Sequence, residues 1–478
     1  MKTLFWHDYE TSGADPRRDR PMQFAGVRTD PDLNPVDDPI VLYCQPASDC
    51  LPHPEACLLT GITPQEAQDK GVIESEFIST VHDELSRPGT CGVGYNTLRF
   101  DDEITRHTLY RNFFDPYARE WQHGNSRWDI IDMVRMCHAL RPEGLSWPSR
   151  EDGNPSFRLE DLAAANGLIH EAAHDALSDV HATIGLARLI RDRQPRLYHW
   201  LFDLRDKRRA RAQLDIESHT PVVHSSGRIS SAYGSTSLIM PLAAHPTNGN
   251  AVLSYDLRFD PLPFLDLDEA TLSERLFTSA AELGNLPRLP VKSIRVNMCP
   301  ALAPIGTLDT EAADRIGIEV DDCAQNRERI LAASGFIDRV VAIHRDRPGP
   351  SSDDVDTALY GGFLSDRDRA LAVRVQQTAA ADLRDLHIDF SDPRLPELLF
   401  RYRSRNWPDT LDKDEKERWN RHCRSRLSGE DGYLSMADYR AAIERLRSER
   451  SASSRDAGIL DALDDWGGLI RGKVFGQA

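Results

Sequence analysis

The stretch Leu4-Phe5-Trp6-His7-Asp8-Tyr9-Glu10-Thr11 near the N-terminus decides how the rest of the chain is interpreted. Its apolar run leads into acidic residues and predicts a buried strand, Thr3–Tyr9. Side chains two positions apart on a strand point to the same face, so Asp8 and Glu10 project together. Two such carboxylates repel each other unless a cation lies between them, and hard divalent cations prefer oxygen ligands. The pattern indicates a Mg²⁺ or Mn²⁺ site, although a D-x-E pair on a solvated strand face has the same spacing.

The length and composition indicate a globular protein of two or three domains. The 478 residues exceed what one hydrophobic core usually holds. A hydrophobic content of 40% and a charged content of 28% are typical of a soluble chain. No apolar run reaches the roughly 18 residues of a membrane span, and we expect no signal peptide. The eight cysteines include no C-x-x-C pair, which argues against structural zinc and for reduced thiols in the cytoplasm.

The formal net charge of −18 bears on nucleic-acid partners. Phosphate binding needs positive charge, so the overall balance argues against a broad nucleic-acid surface. Arginines nevertheless cluster locally, in residues 205–211 and 401–405. Any nucleic-acid site is therefore expected in a local channel, or where bound metal ions supply part of the charge.

The order of predicted elements divides the chain into three segments. Three strands followed by alternating helices and strands predict a mixed α/β sheet with helices on both faces. From about residue 195, short strands among Gly, Pro and Asn turns predict a small, mainly β domain. After Pro348-Gly349-Pro350, which is typical of a linker, helices predominate. We therefore expect domains at residues 1–194, 195–350 and 351–478.

Within these segments, Thr63-Pro64-Gln65-Glu66 has the features of a helix start, with Thr63 as the cap and Pro64 in the first turn. The predicted strands are Thr3–Tyr9, Met22–Arg28, Ile40–Cys44, Cys91–Tyr95, Asp129–Met133, Pro221–Val223, Ser235–Ile239, Ala251–Leu257 and Val291–Asn297. The predicted helices are Asp101–Phe114, Phe157–Ala165, Asp175–Arg191, Asp366–Thr378, Pro393–Arg405, Lys413–Leu427 and Met436–Glu449.

Further carboxylates occur in contexts like that of the first pair. Asp101 and Asp102 follow a predicted strand where a helix begins, and His174 and Asp179 lie at the start of another helix with the spacing H-x₄-D. Each has an ordinary explanation, because Asp101, Asp102 and Asp175 are all suitable helix caps. The whole series, in matched contexts, is harder to explain by chance than any one member. The residues alone leave open which of each neighbouring pair takes part.

The order D-x-E, Asp, H-x₄-D resembles the DEDD exonuclease superfamily, in its histidine-containing branch. Longer motifs are similar to the bacterial exonuclease I family and extend over essentially the whole chain. They include His7-Asp8-Tyr9-Glu10-Thr11, Gly61-Ile62-Thr63-Pro64-Gln65-Glu66-Ala67, Arg99-Phe100-Asp101-Asp102-Glu103, Phe113-Phe114-Asp115-Pro116-Tyr117-Ala118, Asn125-Ser126-Arg127-Trp128-Asp129, Ser156-Phe157-Arg158-Leu159-Glu160, Ala173-His174-Asp175-Ala176 and Leu399-Phe400-Arg401-Tyr402-Arg403-Ser404-Arg405-Asn406.

The resemblance implies a fold and a function. A ribonuclease-H-like α/β exonuclease domain would be followed by an SH3-like β domain and an all-helical C-terminal domain, together a C-shaped clamp around single-stranded DNA. The implied activity is 3′-to-5′ hydrolysis of single-stranded DNA to 5′-mononucleotides, serving DNA repair such as mismatch repair and recombination. The family also binds the C-terminal tail of single-strand DNA-binding protein, for which Arg141 is a candidate contact. We expect a cytoplasmic monomer.

The resemblance also assigns roles to the acidic residues. It implies that Asp8, Glu10, Asp101 and Asp179 ligate metal, with His174 as the general base. Two Mg²⁺ ions about 3.5–4 Å apart, for which Mn²⁺ can substitute, would activate the attacking water and stabilise the leaving 3′-oxygen. A histidine with a pKa near its reference value of about 6.5 can accept the water proton close to neutral pH.

Residues 106–121 interleave basic and aromatic side chains, as single-strand channels do. Three aromatics in this segment, Tyr110, Phe113 and Phe114, have the phase of a buried helix face and are interpreted as core. The predicted DNA contacts are Glu10, Arg106, Tyr117, Trp121 and, as a phosphate ligand near the metals, Arg158.

Three other interpretations compete with this one. Another enzyme of the superfamily, of the oligoribonuclease or proofreading type, would lack the two C-terminal domains. An inactive nucleic-acid-binding scaffold would typically have lost a carboxylate or the histidine, and all five groups are present. A metal-dependent phosphatase is disfavoured by the aromatic and basic segment. The chain departs from the family pattern at Ser12 and Trp200, where an aromatic residue and a tyrosine are usual.

Overall fold

The computed structural model describes residues 2–168, 175–345, 352–449 and 454–476. Two compact units divide the chain. Unit 1 comprises Met1–Ser126, His170–His181 and Gly349–Ala478, and unit 2 comprises Arg127–Ile169 and Ala182–Pro348. Unit 1 therefore combines the N-terminal strands with the C-terminal helices. These two units do not coincide with the three domains predicted from the sequence, whose boundaries stay predictions.

The N-terminal part of unit 1 is a mixed sheet built around its first strand, as predicted. The strands are β1 (Thr3–Thr11), β2 (Pro21–Thr29), β3 (Ile40–Tyr43) and β4 (Thr90–Gly94), in the order β3-β2-β1-β4. The helices are α1 (Pro54–Thr60), α2 (Pro64–Lys70), α3 (Glu74–Ser86) and α4 (Asp101–Arg111). β2 pairs with β1 antiparallel and β4 pairs with it parallel, so β1 is an interior strand.

Alternation along β1 determines which side chains meet the core. Phe5 and Tyr9 pack in one buried cluster with Phe24, Phe77 and Leu109, which come from β2, α3 and α4. Because the side-chain period of a strand is two, the even-numbered positions point to the opposite face. The aromatic core thereby fixes the direction in which the two acidic residues of β1 project.

The predicted helix start at Thr63 is confirmed. Its Oγ1 accepts the backbone N–H of Glu66 at 3.2 Å, and Pro64 occupies the first turn of α2. The preceding helix α1 ends at Gly61, whose φ of 78° lies in the left-handed region that glycine adopts without steric cost. The left-handed Gly61 and the capping residue Thr63 together determine the short turn between α1 and α2.

Unit 2 begins within a strand. β5 (Ser126–Asp129) starts at the last residue of unit 1, and it is followed by α5 (Ile131–Leu140), α6 (Leu159–Ala165) and α7 (Ala176–Arg193). The next elements are α8 (Pro195–Asp203), α9 (Lys207–Ala212), β6 (Val222–Ser225), β7 (Thr236–Ala244), β8 (Ala251–Asp256), α10 (Leu262–Leu265), α11 (Glu269–Phe277), α12 (Ala280–Leu283), β9 (Val291–Arg295), β10 (Ala301–Pro304), α13 (Thr310–Ile316), α14 (Val320–Ala332) and α15 (Phe336–Ala342).

The predicted β domain is present as a five-stranded antiparallel sheet of order β10-β6-β7-β8-β9. The sequence analysis located four of these strands and missed β10, which is only four residues long. It also missed the helices α13–α15 that follow the sheet. They are seven to thirteen residues long, and their apolar positions were obscured by many charged ones.

The prediction of a strand at Asp129–Met133 is wrong. The strand β5 ends at Asp129 and the helix α5 begins at Ile131. The Oδ1 atom of Asp129 accepts the backbone N–H of Ile131 at 3.1 Å, which turns the chain between the two elements. A short apolar run fits a buried strand or a buried helix equally well, and periodicity does not separate them.

The C-terminal part of unit 1 is helical, as predicted. It contains α16 (Asp366–Gln377), α17 (Leu395–Asn406), α18 (Lys413–Leu427), α19 (Met436–Glu449) and α20 (Ser454–Phe475). The sequence analysis did not identify α20. Trp419, Tyr439 and Leu463 from these helices pack in one core with Leu51 and Leu58 near α1, so the two ends of the chain share a core. No helix in the described ranges combines the length and apolar character that crossing a membrane requires.

Candidate metal centre

The end of β1 places two carboxylates side by side on one face. Asp8 pairs with Ala25 and Glu10 with Gln23 in the β1–β2 ladder. Glu10 is buried and Asp8 is half-buried. The ladder register shifts between Glu10 and Thr11, so the two side chains occupy the last regular positions of the strand, where it leaves the sheet.

Helix α7 brings a third carboxylate to this pair. Ligand oxygens of Asp8, Glu10 and Asp179 all lie within 4.8 Å of one another. Asp179 lies in the first turn of α7, on the part of that helix that belongs to unit 1. His174, the predicted general base, lies outside the described residues. The fold thus joins the D-x-E motif to the aspartate of the H-x₄-D motif.

Asp101 lies at the start of α4, next to this group. Its Oδ1 accepts the backbone N–H of Tyr9, the residue between the two acidic positions of β1, at 3.2 Å. Its charge is also among the influences that raise the pKa of Asp8. Asp101 therefore belongs to the same electrostatic site, although it is not one of the three carboxylates in closest mutual contact.

The members of the two neighbouring pairs of aspartates, Asp101 with Asp102 and Asp175 with Asp179, have different surroundings. Asp102 is buried and makes a 2.6 Å ion pair with Arg119, so its charge is already compensated. Asp175 accepts the backbone N–H of Ser178 at 3.3 Å, in the manner of a helix cap, and a bond from Gln23 at 3.3 Å. Asp179 belongs to the acidic group of β1, and the charges of Asp101 and Asp175 both act on Asp8.

Burial and mutual repulsion together determine the electrostatics of the group, and burial is the larger cause. Burial, together with the charges of Asp101 and Asp179, raises the pKa of Asp8 well above its ordinary value. Burial and the neighbouring charges of Asp8 and Asp179 raise the pKa of Glu10 to about 9. Carboxylates held this close are stable as anions only when a cation compensates them. The donor set consists of carboxylate oxygens alone, which fits a hard divalent cation rather than a thiophilic one.

This repulsion predicts a pH-dependent effect of metal on stability. Because the pKa of Glu10 is raised from 4.5 to about 9, the metal-free folded state retains a proton that the unfolded chain releases over this pH range. The contribution of Glu10 to the free energy of unfolding therefore falls as pH rises from 4.5 to 9. Mg²⁺ binds the deprotonated carboxylates, so the rise in Tm that it causes should grow between pH 6 and pH 9.

Replacing Glu10 by Gln should raise the Tm of the metal-free protein at pH 8 by about 1–2 °C, the shift expected for about 1 kcal/mol in a chain of this size. The same variant should lose most of the Mg²⁺-induced increase. Differential scanning calorimetry in EDTA and in Mg²⁺ measures both, with Glu328→Gln, an exposed carboxylate of unit 2, as the matched control. A lower Tm for metal-free Glu10→Gln than for the wild type would contradict the described repulsion.

The structure revises the prediction for Arg106. Its guanidinium donates to Glu120 at 2.7 and 2.8 Å and to Glu103 at 2.6 Å, and it is buried. It also lies over the ring of Tyr117, with 5.3 Å to the ring centroid. With both carboxylates bound to it, Arg106 holds the position of Tyr117 and is not exposed for contact with a DNA strand.

The other predicted DNA contacts have different surroundings. Tyr117 is half-buried and Trp121 is 66% exposed, so the indole ring of Trp121 presents apolar surface to solvent. Arg158 is exposed at the N-terminus of α6, in unit 2. Two of the aromatics interpreted as core, Tyr110 and Phe113, are buried as expected, and Phe114 packs against the sheet core.

One exposed aromatic residue near Tyr117 was not predicted from the sequence. Phe363 is 85% exposed and lies edge-on to Tyr117, with ring centroids 5.8 Å apart. It follows Gly361 and Gly362, and the φ of Gly362 is 141°. The signal in the sequence is a glycine pair immediately before an aromatic residue, a pattern that predicts a turn presenting a large apolar side chain.

The arginine run at residues 401–405, which the sequence analysis considered for DNA binding, is directed into the protein. Arg405 contacts Asp49 at 2.9 Å and Asp356 at 3.2 Å, and Arg401 pairs with Asp354 and Asp356. Ser12, at a position where the family usually has an aromatic, is also buried, and its hydroxyl accepts the backbone N–H of Arg20 at 2.9 Å. Neither feature is positioned to touch a DNA strand.

Models of three protein families match the chain. The model described as "Exonuclease" matches residues 5–187, "Exonuclease I SH3-like domain" matches residues 205–346, and "Exonuclease I C-terminal domain" matches residues 353–470. Exodeoxyribonuclease I of Escherichia coli is 47% identical over 464 residues, which are 97% of each chain. The chain belongs to the exonuclease I family.

Solved structures of the exonuclease I family agree with this assignment. A moderately thermophilic exonuclease I from Methylocaldum szegediense is 46% identical and superposes with a TM-score of 0.94, covering 98% of this chain and 100% of that one. A zinc-bound complex of E. coli exonuclease I with single-stranded DNA has the same identity and TM-score, with 98% and 99% of the two chains covered. The carboxylate group described above thus lies in the exonuclease part of an exonuclease I fold, a type of domain that uses divalent metal.

Proposed function

We propose that this protein is an exodeoxyribonuclease that hydrolyses single-stranded DNA from the 3′ end and releases 5′-mononucleotides. The observation that carries the proposal is the group formed by Asp8, Glu10 and Asp179, whose ligand oxygens lie within 4.8 Å of one another. It occurs in a chain that matches E. coli exodeoxyribonuclease I over 97% of its length. A role in DNA repair, including mismatch repair and recombination, follows from the same kinship.

The metal ligands of the proposal are Asp8, Glu10, Asp101 and Asp179, and the metal is Mg²⁺, two ions per chain, with Mn²⁺ as a substitute. Four carboxylates provide the negative charge to hold two hard cations and leave positions open for water and phosphate. Bound Mg²⁺ would neutralise the phosphodiester and lower the pKa of water at the site. The raised pKa values of Asp8 and Glu10 support this assignment.

His174 is the proposed general base, on the strength of the family resemblance. Its imidazole would accept the proton of the attacking water near neutral pH. We expect His174→Ala to lower kcat by about a hundredfold, the lower end of the usual range for a general base, because the metal ions already favour deprotonation of water. Rapid-quench measurement of kcat at pH 7 and pH 9 tests this, since hydroxide should partly restore the variant at pH 9. An unchanged kcat at pH 7 would contradict the role.

We assign binding of the DNA strand to solvent-accessible aromatic residues rather than to net charge. Tyr117, Trp121 and Phe363 offer ring surfaces on which bases can stack, each stack being worth about 1–3 kcal/mol. Arg158 is the proposed phosphate contact, because its exposed guanidinium begins a helix in the Phe-Arg-Leu motif. Glu10 is the carboxylate proposed to contact both metal and the terminal nucleotide.

Domain limits and protein partners complete the proposal. The three family models match within residues 1–194, 195–350 and 351–478, which supports those boundaries. The C-terminal tail of single-strand DNA-binding protein is the proposed partner of unit 2. Arg141 lies there, in contact with Asp309 at 3.4 Å and with the carbonyl oxygen of Leu140, and Trp200 is partly exposed. We propose a monomer acting in the cytoplasm.

A strand labelled at either end tests the polarity and the product. The protein is incubated with Mg²⁺ and single-stranded DNA carrying a 5′ or a 3′ label, and products are resolved by length and by chromatography of mononucleotides. A 3′ label should be released at once as a 5′-mononucleotide, and a 5′ label should pass through a ladder of shortening strands. Immediate release of the 5′ label, or cuts within the strand, would contradict the proposal.

A further inference from the structure

A cavity of about 720 Å³ lies beside Glu10 in unit 1. Glu10 itself lines it, and Leu59 and Phe100 contribute apolar surface. Residues 432–434, from the turn before α19, line it as well. The cavity therefore adjoins the carboxylate group and has part of its wall from the C-terminal helical part of the chain.

Arg18 connects the loop after β1 to this wall. Its Nε donates to the backbone carbonyl of Asp431 at 2.7 Å, across 413 positions of sequence. Its guanidinium also lies against Gly432, since a Cβ added there would come within 3.1 Å of Nη2. Arg18 is paired with Asp15 on its own loop, and Asp15 in turn donates its backbone N–H to Asp19 at 2.7 Å. The ion pair with Asp15 thus fixes the guanidinium, and its hydrogen bond to Asp431 holds the turn at residues 431–434.

The turn has two consecutive residues in the left-handed region of the backbone. Asp431 has a φ of 57° and Gly432 a φ of 77°; glycine adopts this region freely, and aspartate is among the few other residues that tolerate it. On the far side, the Tyr433 hydroxyl donates to Asp354 at 3.0 Å, and Arg426 lies 4.1 Å from its ring centroid. Arg18 is the support on the side of the cavity.

We propose that Arg18 is a positioning residue: by holding the turn at residues 431–434, it forms one wall of the site that receives the base of the 3′-terminal nucleotide. The inference rests on the proposed function, because a terminal phosphodiester at the carboxylate group places the terminal nucleoside in the adjoining space. Small-molecule sites commonly have volumes of about 300–1,000 Å³, which includes this cavity. Its apolar surface suits the faces of a base, and its contact with Glu10 makes it continuous with the reacting end.

The test compares two strands that differ only at the 3′ end, one ending in an ordinary nucleotide and one in an abasic residue. On the ordinary end, Arg18→Ala should raise KM about fivefold, as expected for loss of one charged hydrogen bond that is partly exposed, and leave kcat within about twofold. On the abasic end, KM should be the same for both enzymes, because no base meets the wall. The KM of Arg18→Lys on the ordinary end should lie between the values for the wild type and Arg18→Ala.

Two further variants separate this effect from a general loss of stability. Arg384→Ala removes an exposed arginine that makes one 2.8 Å ion pair, with Asp412, and should leave KM unchanged on both strands. Gly432→Ala disturbs the same contact from the turn, because its Cβ would lie 3.1 Å from Arg18 Nη2, and it should reproduce the base-dependent rise in KM.

Equal rises in KM on both strands, or no rise on the ordinary end, would overturn the role of Arg18. A wild-type protein that releases no nucleotide from the ordinary end would instead contradict the proposed function, and the inference with it. Because the wild-type rate is measured first, the two failures are distinct.

Discussion

The Asp8→Asn variant is expected to release nucleotides from single-stranded DNA about a hundredfold to a thousandfold more slowly than the wild type, while it remains folded. Asparagine has the shape of aspartate and lacks its charge, so the metal site loses one anionic ligand without a change in packing. Electrostatic groups of this kind commonly contribute two to three orders of magnitude each. Asp8 lies within 4.8 Å of both Glu10 and Asp179 through its ligand atoms, so its charge acts on every ion that the group holds.

Folding and strand binding must be followed separately to interpret that loss. The burial and the neighbouring charges that raise the pKa of Asp8 are costs to the metal-free fold, so the Tm of metal-free Asp8→Asn should equal or exceed that of the wild type. Fluorescence anisotropy should show binding of a labelled strand within about threefold of wild type. Asp409→Asn, an exposed carboxylate in a turn, is the matched control with full activity. A residual rate above one tenth of wild type would contradict the ligand role.

The Asp49→Ala variant is expected to destabilise unit 1 by about 3–5 kcal/mol, the usual cost of removing one partner from a buried ion pair. Asp49 is fully buried and contacts Arg426 at 2.6 Å, Arg405 at 2.9 Å and Arg20 at 3.7 Å. Burial alone would raise its pKa, but the arginines hold the pKa of Asp49 well below its usual value. Alanine would leave three buried guanidinium groups with less compensating charge.

The measurement is urea unfolding followed by tryptophan fluorescence. Trp419 is a local probe, because Arg405 lies 6.0 Å from its ring centroid. Asp389→Ala is the matched control: Asp389 makes a 2.8 Å ion pair with Arg367 but is 92% exposed, and exposed pairs contribute little. A depressed carboxylate pKa stabilises the fold at neutral pH and loses that effect as pH falls through the folded value. The difference in free energy of unfolding between the wild type and Asp49→Ala should therefore become smaller in acid. Equal urea midpoints for Asp49→Ala and Asp389→Ala at pH 7 would contradict the account.

Local sequence pattern was sufficient for much of the fold and for two of the three residues in the carboxylate group. The alternation in β1 placed Asp8 and Glu10 on one face, and the cap at Thr63 located a helix start. Choosing Asp101 over Asp102 depended on family resemblance, because both lie in the first turn of α4 and either could cap it. The ion pair between Asp102 and Arg119, which separates them in the structure, joins residues that no local rule links.

Local sequence pattern could not predict contacts between residues that lie far apart in the sequence. Arg401 and Arg405 have the spacing of an exposed basic helix face, yet both are paired with buried aspartates. Asp49 lies 356 positions from Arg405, and nothing around Asp49 in the sequence marks it as buried. The same limit applies to Arg18 and Asp431, because only the folded chain brings that side chain and that carbonyl together. The same limit applies to the ion pair between Arg106 and Glu120, which lie 14 positions apart, whereas Glu103 follows the helix period.

The most direct test of the central claim is nucleotide release as a function of divalent metal. Protein treated with EDTA and dialysed is mixed with 3′-labelled single-stranded DNA, and the release of labelled 5′-mononucleotide is measured as Mg²⁺ is titrated in, for the wild type and for Asp179→Asn. The account predicts no release without metal, restoration of stepwise release by Mg²⁺ in the wild type, and no restoration in Asp179→Asn at any concentration that saturates the wild type. Release that persists in EDTA, or equal titration curves for the two proteins, would contradict it.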